Sequence, residues 1–242
     1  MKRLVAIASA AAALACFAAK SRVIVLHTND THTHIDDGRV AFSEIAAEKA
    51  RFEAAGENVI LVDAGDYVQG TALGGYDSGR SAIDIMNEAG YAVATLGNHE
   101  FDYGIDAMFA NAARAKFSTV SCNFISRKSA DDPGRLVFPA YTVVTSGAVR
   151  VAFVGVTTPT TLVSAKPSTF LDPTGSYRAY DFMAGERGVA LYRAVRPGTD
   201  GIPVLSSCNS PLASLPNYPI NYEKPQGADR IILKGLRYGN AK

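Results

Sequence analysis

The sequence predicts an α/β fold, layered from βαβ units around a mostly parallel sheet and incomplete on its C-terminal side. Three observations carry that expectation. Compact β-branched runs alternate with Ala- and Glu-rich segments of helical spacing. The units recur at intervals of about thirty residues, as βαβ repeats do. Polar clusters follow three of the strands, at the edge where open α/β sheets bind ligands.

Residues 22–27 (RVIVLH) read as a buried strand because the run is apolar and β-branched. Residues 41–55 (AFSEIAAEKARFEAA) read as a helix, with Phe42, Ile45, Ala46 and Phe52 near one face and Gly56 placed to end it. Residues 58–63 (NVILVD) form the second strand and 81–89 a helix closed by Gly90. Strand 91–96 and helix 105–115 complete a third unit, and further strands are expected at 118–122, 141–145 and 150–156 (RVAFVGV). Residues 180–195 carry a weaker helical pattern, interrupted by Gly185 and Gly188.

The chain of 242 residues is 48% apolar and 19% charged, which excludes disorder as a description of the whole. Its net charge of +1 excludes a general nucleic-acid binder, which carries a basic excess. Lys2 and Arg3 precede residues 4–19, of which only Ser9 is outside the apolar set. That is the pattern of a secretory signal, and residues 1–20 are read as one. The protein is therefore expected to be exported, to a periplasm or an extracellular space. An alternative is a lipoprotein anchored through Cys16, at the end of the imperfect lipobox 13–16 (ALAC). A membrane is expected as a partner only in that case. Without residues 1–20, 21 basic residues face 23 acidic ones. Cys122 and Cys208 then remain, with no zinc-ligand spacing; one bridge between them is open in an oxidising compartment.

Three polar clusters carry chemistry. Residues 28–34 (TNDTHTH) follow the first strand, and in an extended segment Asp30 and His32 point to one side, a half-shell for a cation. Asp66 comes three residues past the second strand, beside Gly65. Its two oxygens could bridge cations, or fold back in an Asx turn. Residues 97–104 (GNHEFDYG) follow the third strand. Asn98 offers a neutral oxygen, His99 is adjacent, and Asp102 is within reach to orient the imidazole. The same residues also read as a helix start, with Asn98 as its cap.

The order Asp-x-His, Gly-Asp, Gly-Asn-His-Glu resembles the calcineurin-like metallophosphoesterases. More narrowly, residues 26–35 (LHTNDTHTHI), 62–71 (VDAGDYVQGT) and 96–104 (LGNHEFDYG) are similar to the secreted bacterial 5′-nucleotidase/UDP-sugar hydrolase group. The resemblance implies two divalent cations (Mn, Zn, Fe or Co), with Asp30 and His32 on one, Asp66 bridging both, and Asn98 on the second. It implies that His99 faces the phosphate of a nucleotide or other small phosphoester, with Asp102 fixing its tautomer. The reaction implied is hydrolysis by a metal-activated hydroxide attacking phosphorus.

The family's second half supplies more histidines, including a Gly-His-x-His element. Here the four histidines are His27, His32, His34 and His99, so the second cation is left with Asp66 and Asn98. Six of eleven prolines fall within 197–225, where helix and strand periodicity fades. The expected division is a signal at 1–20, the N-terminal part of a metallophosphoesterase domain at 21–194, and a Pro-rich tail at 195–242. The alternative to a hydrolase is a non-catalytic, truncated remnant that binds at most one metal.

Overall fold

A computed structural model describes residues 22–35, 41–183, 204–206 and 231–235. Its elements in chain order are β1 (Val23–Thr28), α1 (Phe42–Ala54), β2 (Asn58–Asp63), α2 (Ala72–Asp77), α3 (Arg80–Ala89), β3 (Val93–Thr95) and α4 (Ile105–Arg114). There follow β4 (Ser118–Val120), β5 (Phe124–Ser126), β6 (Arg135–Leu136), β7 (Tyr141–Ser146), β8 (Val149–Val156), α5 (Thr161–Ser164), β9 (Tyr180–Phe182), β10 (Val204–Ser206) and β11 (Ile231–Gly235). Short 3₁₀ turns lie at His99–Phe101 and Pro167–Phe170.

The main sheet has five strands in the order β11-β1-β2-β3-β4, all parallel. Strands β1 to β4 are largely apolar because both faces are covered. Ile24, Leu26, Leu61 and Ala94 point to one face and pack with Phe42 and Ile45 of α1 and Ile83 and Met86 of α3. Val23, Val25, Ile60, Val62, Val93 and Val120 point to the other. That second face meets Val151 and Phe153 of β8, so a second sheet covers it. Each such side chain contributes about 1.5–3 kcal/mol by leaving water.

The covering sheet has the order β10-β8-β7, with β7 antiparallel and β10 parallel to β8. Gly155 of β8 permits the close approach, since a Cβ there would collide with the Val120 carbonyl and lie 2.5 Å from Thr95 Oγ1. A third sheet, β6-β5-β9, is antiparallel. It packs around Phe101, Phe124, Phe170 and Phe182.

Two expectations need correction here. Residues 180–182, read as the start of a helix, are strand β9 paired with β5, and Phe182 is buried at 4% against Phe101 and Phe124. The rest of that expected helix, from 184 onward, lies outside the described residues. Within residues 197–225, where the sequence predicts no strand, the backbone forms β10 beside β8, and beyond them β11 lies beside β1. The expected signal at 1–20, Cys16 and Cys208 also lie outside the described residues, while Cys122 is a buried free thiol whose pKa burial pushes up.

Candidate metal centre

The carboxyl ends of β1, β2 and β3 bring the three polar clusters together. The loops after β1 and β2 are laced by backbone bonds: Ala64 N–H to Thr28 O (2.8 Å), Asp30 N–H to Gly65 O (2.9 Å) and His32 N–H to Asp66 O (2.9 Å). Beneath them, Thr28 and Asp63 occupy matching last positions of paired strands. Thr28 Oγ1 donates to Asp63 Oδ2 at 2.5 Å and lies 2.8 Å from the Tyr91 hydroxyl, while Asp63 Oδ1 accepts the Gly65 N–H at 2.7 Å. Complete burial raises the Asp63 carboxyl well above its ordinary range, against the pull of these hydrogen bonds.

This lacing demands unusual backbone. Asp30 (φ +52°), His32 (+47°), Thr33 (+53°) and Asp66 (+63°) are all left-handed. Asp30 and His32 therefore approach each other through a turn, not through the alternation of an extended strand expected from the sequence. Asp30 Oδ1 lies 3.9 Å from His32 Nε2, and the Asn29 amide donates to Asp30 Oδ2. His32 Nδ1 is 3.0 Å from the Gln69 carbonyl, which leaves Nε2 for another partner.

Asp66 is 4% exposed and forms the hinge of the site. Its Oδ1 accepts the His99 N–H at 2.8 Å. Gly97 lies so close that a Cβ there would collide with Oδ1 and sit 2.7 Å from the Asp66 nitrogen. Burial raises the Asp66 carboxyl above the ordinary range. The His99 N–H and the two imidazoles oppose that, and Asp30 adds to it. Ligand atoms of His32, Asp66 and His99 lie within 4.8 Å of one another, and the two imidazole rings meet edge-on at 4.8 Å. A cation among these groups would relieve the raised carboxylate, and the mixed nitrogen and oxygen donors suit a divalent transition metal.

Asn98 precedes the 3₁₀ turn in right-handed geometry (φ −83°, ψ −28°), and its side chain makes no capping bond. The amide is therefore not spent on the helix start that the sequence left as an alternative. Asp102 Oδ2 sits 2.7 Å from His99 Nδ1, as the three-residue spacing implied. All the candidate residues, Asp30, His32, Asp66, Asn98, His99 and Asp102, thus stand on one sheet edge. His27, half-buried on β1, has its pKa lowered by burial.

The calcineurin-like phosphoesterase family model matches residues 24–184. The chain belongs to that family. A snake venom 5′-nucleotidase from Gloydius brevicauda is 32% identical over 175 residues, 66% of this chain and 30% of that one. A 2′,3′-cyclic-nucleotide 2′-phosphodiesterase/3′-nucleotidase from Yersinia enterocolitica is 36% identical over 140 residues, 50% of this chain and 20% of that one. The crystal structure of a 5′-nucleotidase precursor from Thermus thermophilus superposes with a TM-score of 0.58 at 30% identity, covering 75% of this chain and 36% of that one. The chain thus spans about a third or less of the length of these relatives.

Two groups with structural consequences escaped the sequence reading. Glu100, 3% exposed, accepts N–H groups from Asp66 (2.9 Å), Tyr67 (2.8 Å) and Gly97 (2.6 Å). Burial and the Asp66 charge push its pKa up to about 8 despite those donors. The other is the Thr28–Asp63 pair. Its available signal was two polar residues closing apolar strands; for Glu100 it was an acid inside the Gly-Asn-His-Glu run, with no surface role to explain it.

Proposed function

We propose that the chain is a metal-dependent phosphoester hydrolase acting on nucleotides, 5′-nucleotidase-like in substrate. The observation that carries this reading is the convergence of His32, Asp66 and His99 ligand atoms within 4.8 Å at three strand ends. Membership of the phosphoesterase family and the named activities of the relatives support it.

In this reading Asp30, His32 and Asp66 hold one divalent cation, and Asp66 with Asn98 holds a second. Bound there, such cations supply Lewis acidity toward phosphate oxygens and lower the pKa of water. The chain's own residues then orient the ester. His99 keeps Nδ1 toward Asp102 and turns Nε2 to the phosphate, where it donates a proton or hydrogen bond to the leaving-group oxygen. Residues 1–20 direct export, which fusion to a reporter active only outside the cytoplasm tests; a silent fusion counts against it.

The decisive experiment strips the full chain with EDTA, titrates it with Mn²⁺ by calorimetry, and assays release of phosphate from AMP and from 3′-AMP. Two cations per chain, with AMP hydrolysis lost in Asp66→Ala and His99→Ala, is the expected result. Activity no higher than in those variants at any Mn²⁺ concentration would overturn it. One observation favours a second reading: among the described residues, the clustered metal-holding groups are His32, Asp66 and His99, enough for one cation. A single cation per chain without turnover would identify a non-catalytic metal-binding relative.

A further inference from the structure

Glu100 is a buried acid whose hydrogen bonds all go to backbone of the two loops that carry Asp66, Asn98 and His99. Oε1 accepts the Tyr67 N–H, and Oε2 accepts those of Asp66 and Gly97. Asp66 and Tyr67 follow β2, while Gly97 follows β3. A single rigid carboxylate thereby fixes the distance between the two loops from behind, and the His99 N–H to Asp66 Oδ1 bond fixes it from the front. The same carboxylate pins the residue at which the chain takes φ +63°.

We propose that Glu100 is a positioning residue for the divalent-cation site: it sets Asp66 against Asn98 and His99, at the separation the cation requires. This rests on the reading of Asp66 and Asn98 as ligands. A carboxylate suits the task because in its ionised form, which the three N–H donors favour against burial, both oxygens only accept. Gln has nearly the same shape but must turn an NH₂ group toward one of the three N–H donors, so one contact becomes a repulsion. Residues behind metal ligands typically alter affinity about 10- to 100-fold when replaced.

The test uses the full chain, stripped with EDTA and titrated with Mn²⁺ well below each variant's melting temperature. Glu100→Gln is compared with the wild type, with Glu100→Asp, and with Met86→Ala, a buried residue on the helix side of the sheet. The expected result is Mn²⁺ affinity about 10- to 100-fold weaker in Glu100→Gln, weaker in Glu100→Asp, and unchanged in Met86→Ala. Should Glu100→Gln not fold, the comparison passes to Glu100→Asp. Wild-type affinity in a folded Glu100 variant overturns the proposal and leaves the metal reading intact. Equal weakening in Met86→Ala also overturns it, since general destabilisation would then suffice. No Mn²⁺ binding by the wild type removes both the metal reading and this one.

Discussion

Asp30, His32, Thr33 and Asp66 sit at φ between +47° and +63°, while Asn98 and Asp102 have ordinary right-handed geometry. The loops after β1 and β2 thus present their side chains from strained backbone, at a cost of about 1–3 kcal/mol per residue, and the loop after β3 presents its own from a relaxed helical turn. The strained pair is held by mutual backbone bonds and by two buried carboxyls beneath and behind it, Asp63 and Glu100. The relaxed loop is tied to that pair by the His99 N–H to Asp66 Oδ1 bond and keeps ordinary dihedrals. Strain here is concentrated where ligands must converge, and the surrounding acceptors are what keep it in place.

Breaking the strained side should cost most. Asp66→Ala removes the group on which both loops converge, and phosphatase activity is expected to fall about a thousandfold, several kcal/mol of lost charge stabilisation. Steady-state hydrolysis of AMP measures it; activity within tenfold of wild type would show that Asp66 is not a ligand. Gly97→Ala attacks the seam between the two kinds of loop, because the new methyl meets the Asp66 carboxylate and nitrogen. Displacement by about 1 Å costs on the order of a hundredfold in rate, to be read beside the melting temperature.

On the relaxed side the effects are smaller. Asp102→Asn leaves His99 in place but changes what its Nδ1 faces, so kcat is expected to drop about tenfold with Mn²⁺ affinity unchanged, a part of the roughly 10²–10⁴-fold that general acid–base catalysis contributes. The smallest effect sharpens the comparison through pH. The folded Asp63 carboxyl has its pKa raised by burial, so the unfolded chain loses that proton first as pH climbs past about 4. Stability of the EDTA-treated protein is therefore expected to decline as pH rises from there toward the folded pKa. Asp63→Asn keeps an acceptor for Gly65 N–H and a donor toward Thr28 Oγ1, and carries no such proton. It should flatten the decline and melt about 2–4 °C above wild type at neutral pH, for each kcal/mol recovered. Thermal scans across pH check both.

The parallel strands β1 to β4 and the helices α1, α3 and α4 were legible because burial on one or both faces writes itself into local periodicity. Strands β5 and β6 were not, since two or three residues give no period and their partners are distant in sequence. Residues 180–182 misled for a related reason: Tyr180 and Phe182 are held in a strand by Phe124 and Phe101, contacts no local window contains. At the site, the identities of Asp30, His32, Asp66, Asn98, His99 and Asp102 were readable from three short motifs. The conformation that unites them was not, because left-handed Asp and His follow from bonds between loops about 35 residues apart. The roles of the buried acceptors Asp63 and Glu100 were hidden for the same reason, since their donors Thr28, Asp66 and Tyr67 lie in other segments of the chain.

Gly155 has a consequence for how this sequence can drift. The space beside it is taken by the Val120 carbonyl and Thr95 Oγ1, and its own carbonyl receives the Cys122 N–H at 2.7 Å. Every codon change that adds a side chain there pushes against peptide groups, which cannot swing aside as a flexible neighbour would. The position acts as a genetic sentinel. In a library of random variants selected for folding, position 155 should return glycine, whatever has become of the chemistry above it.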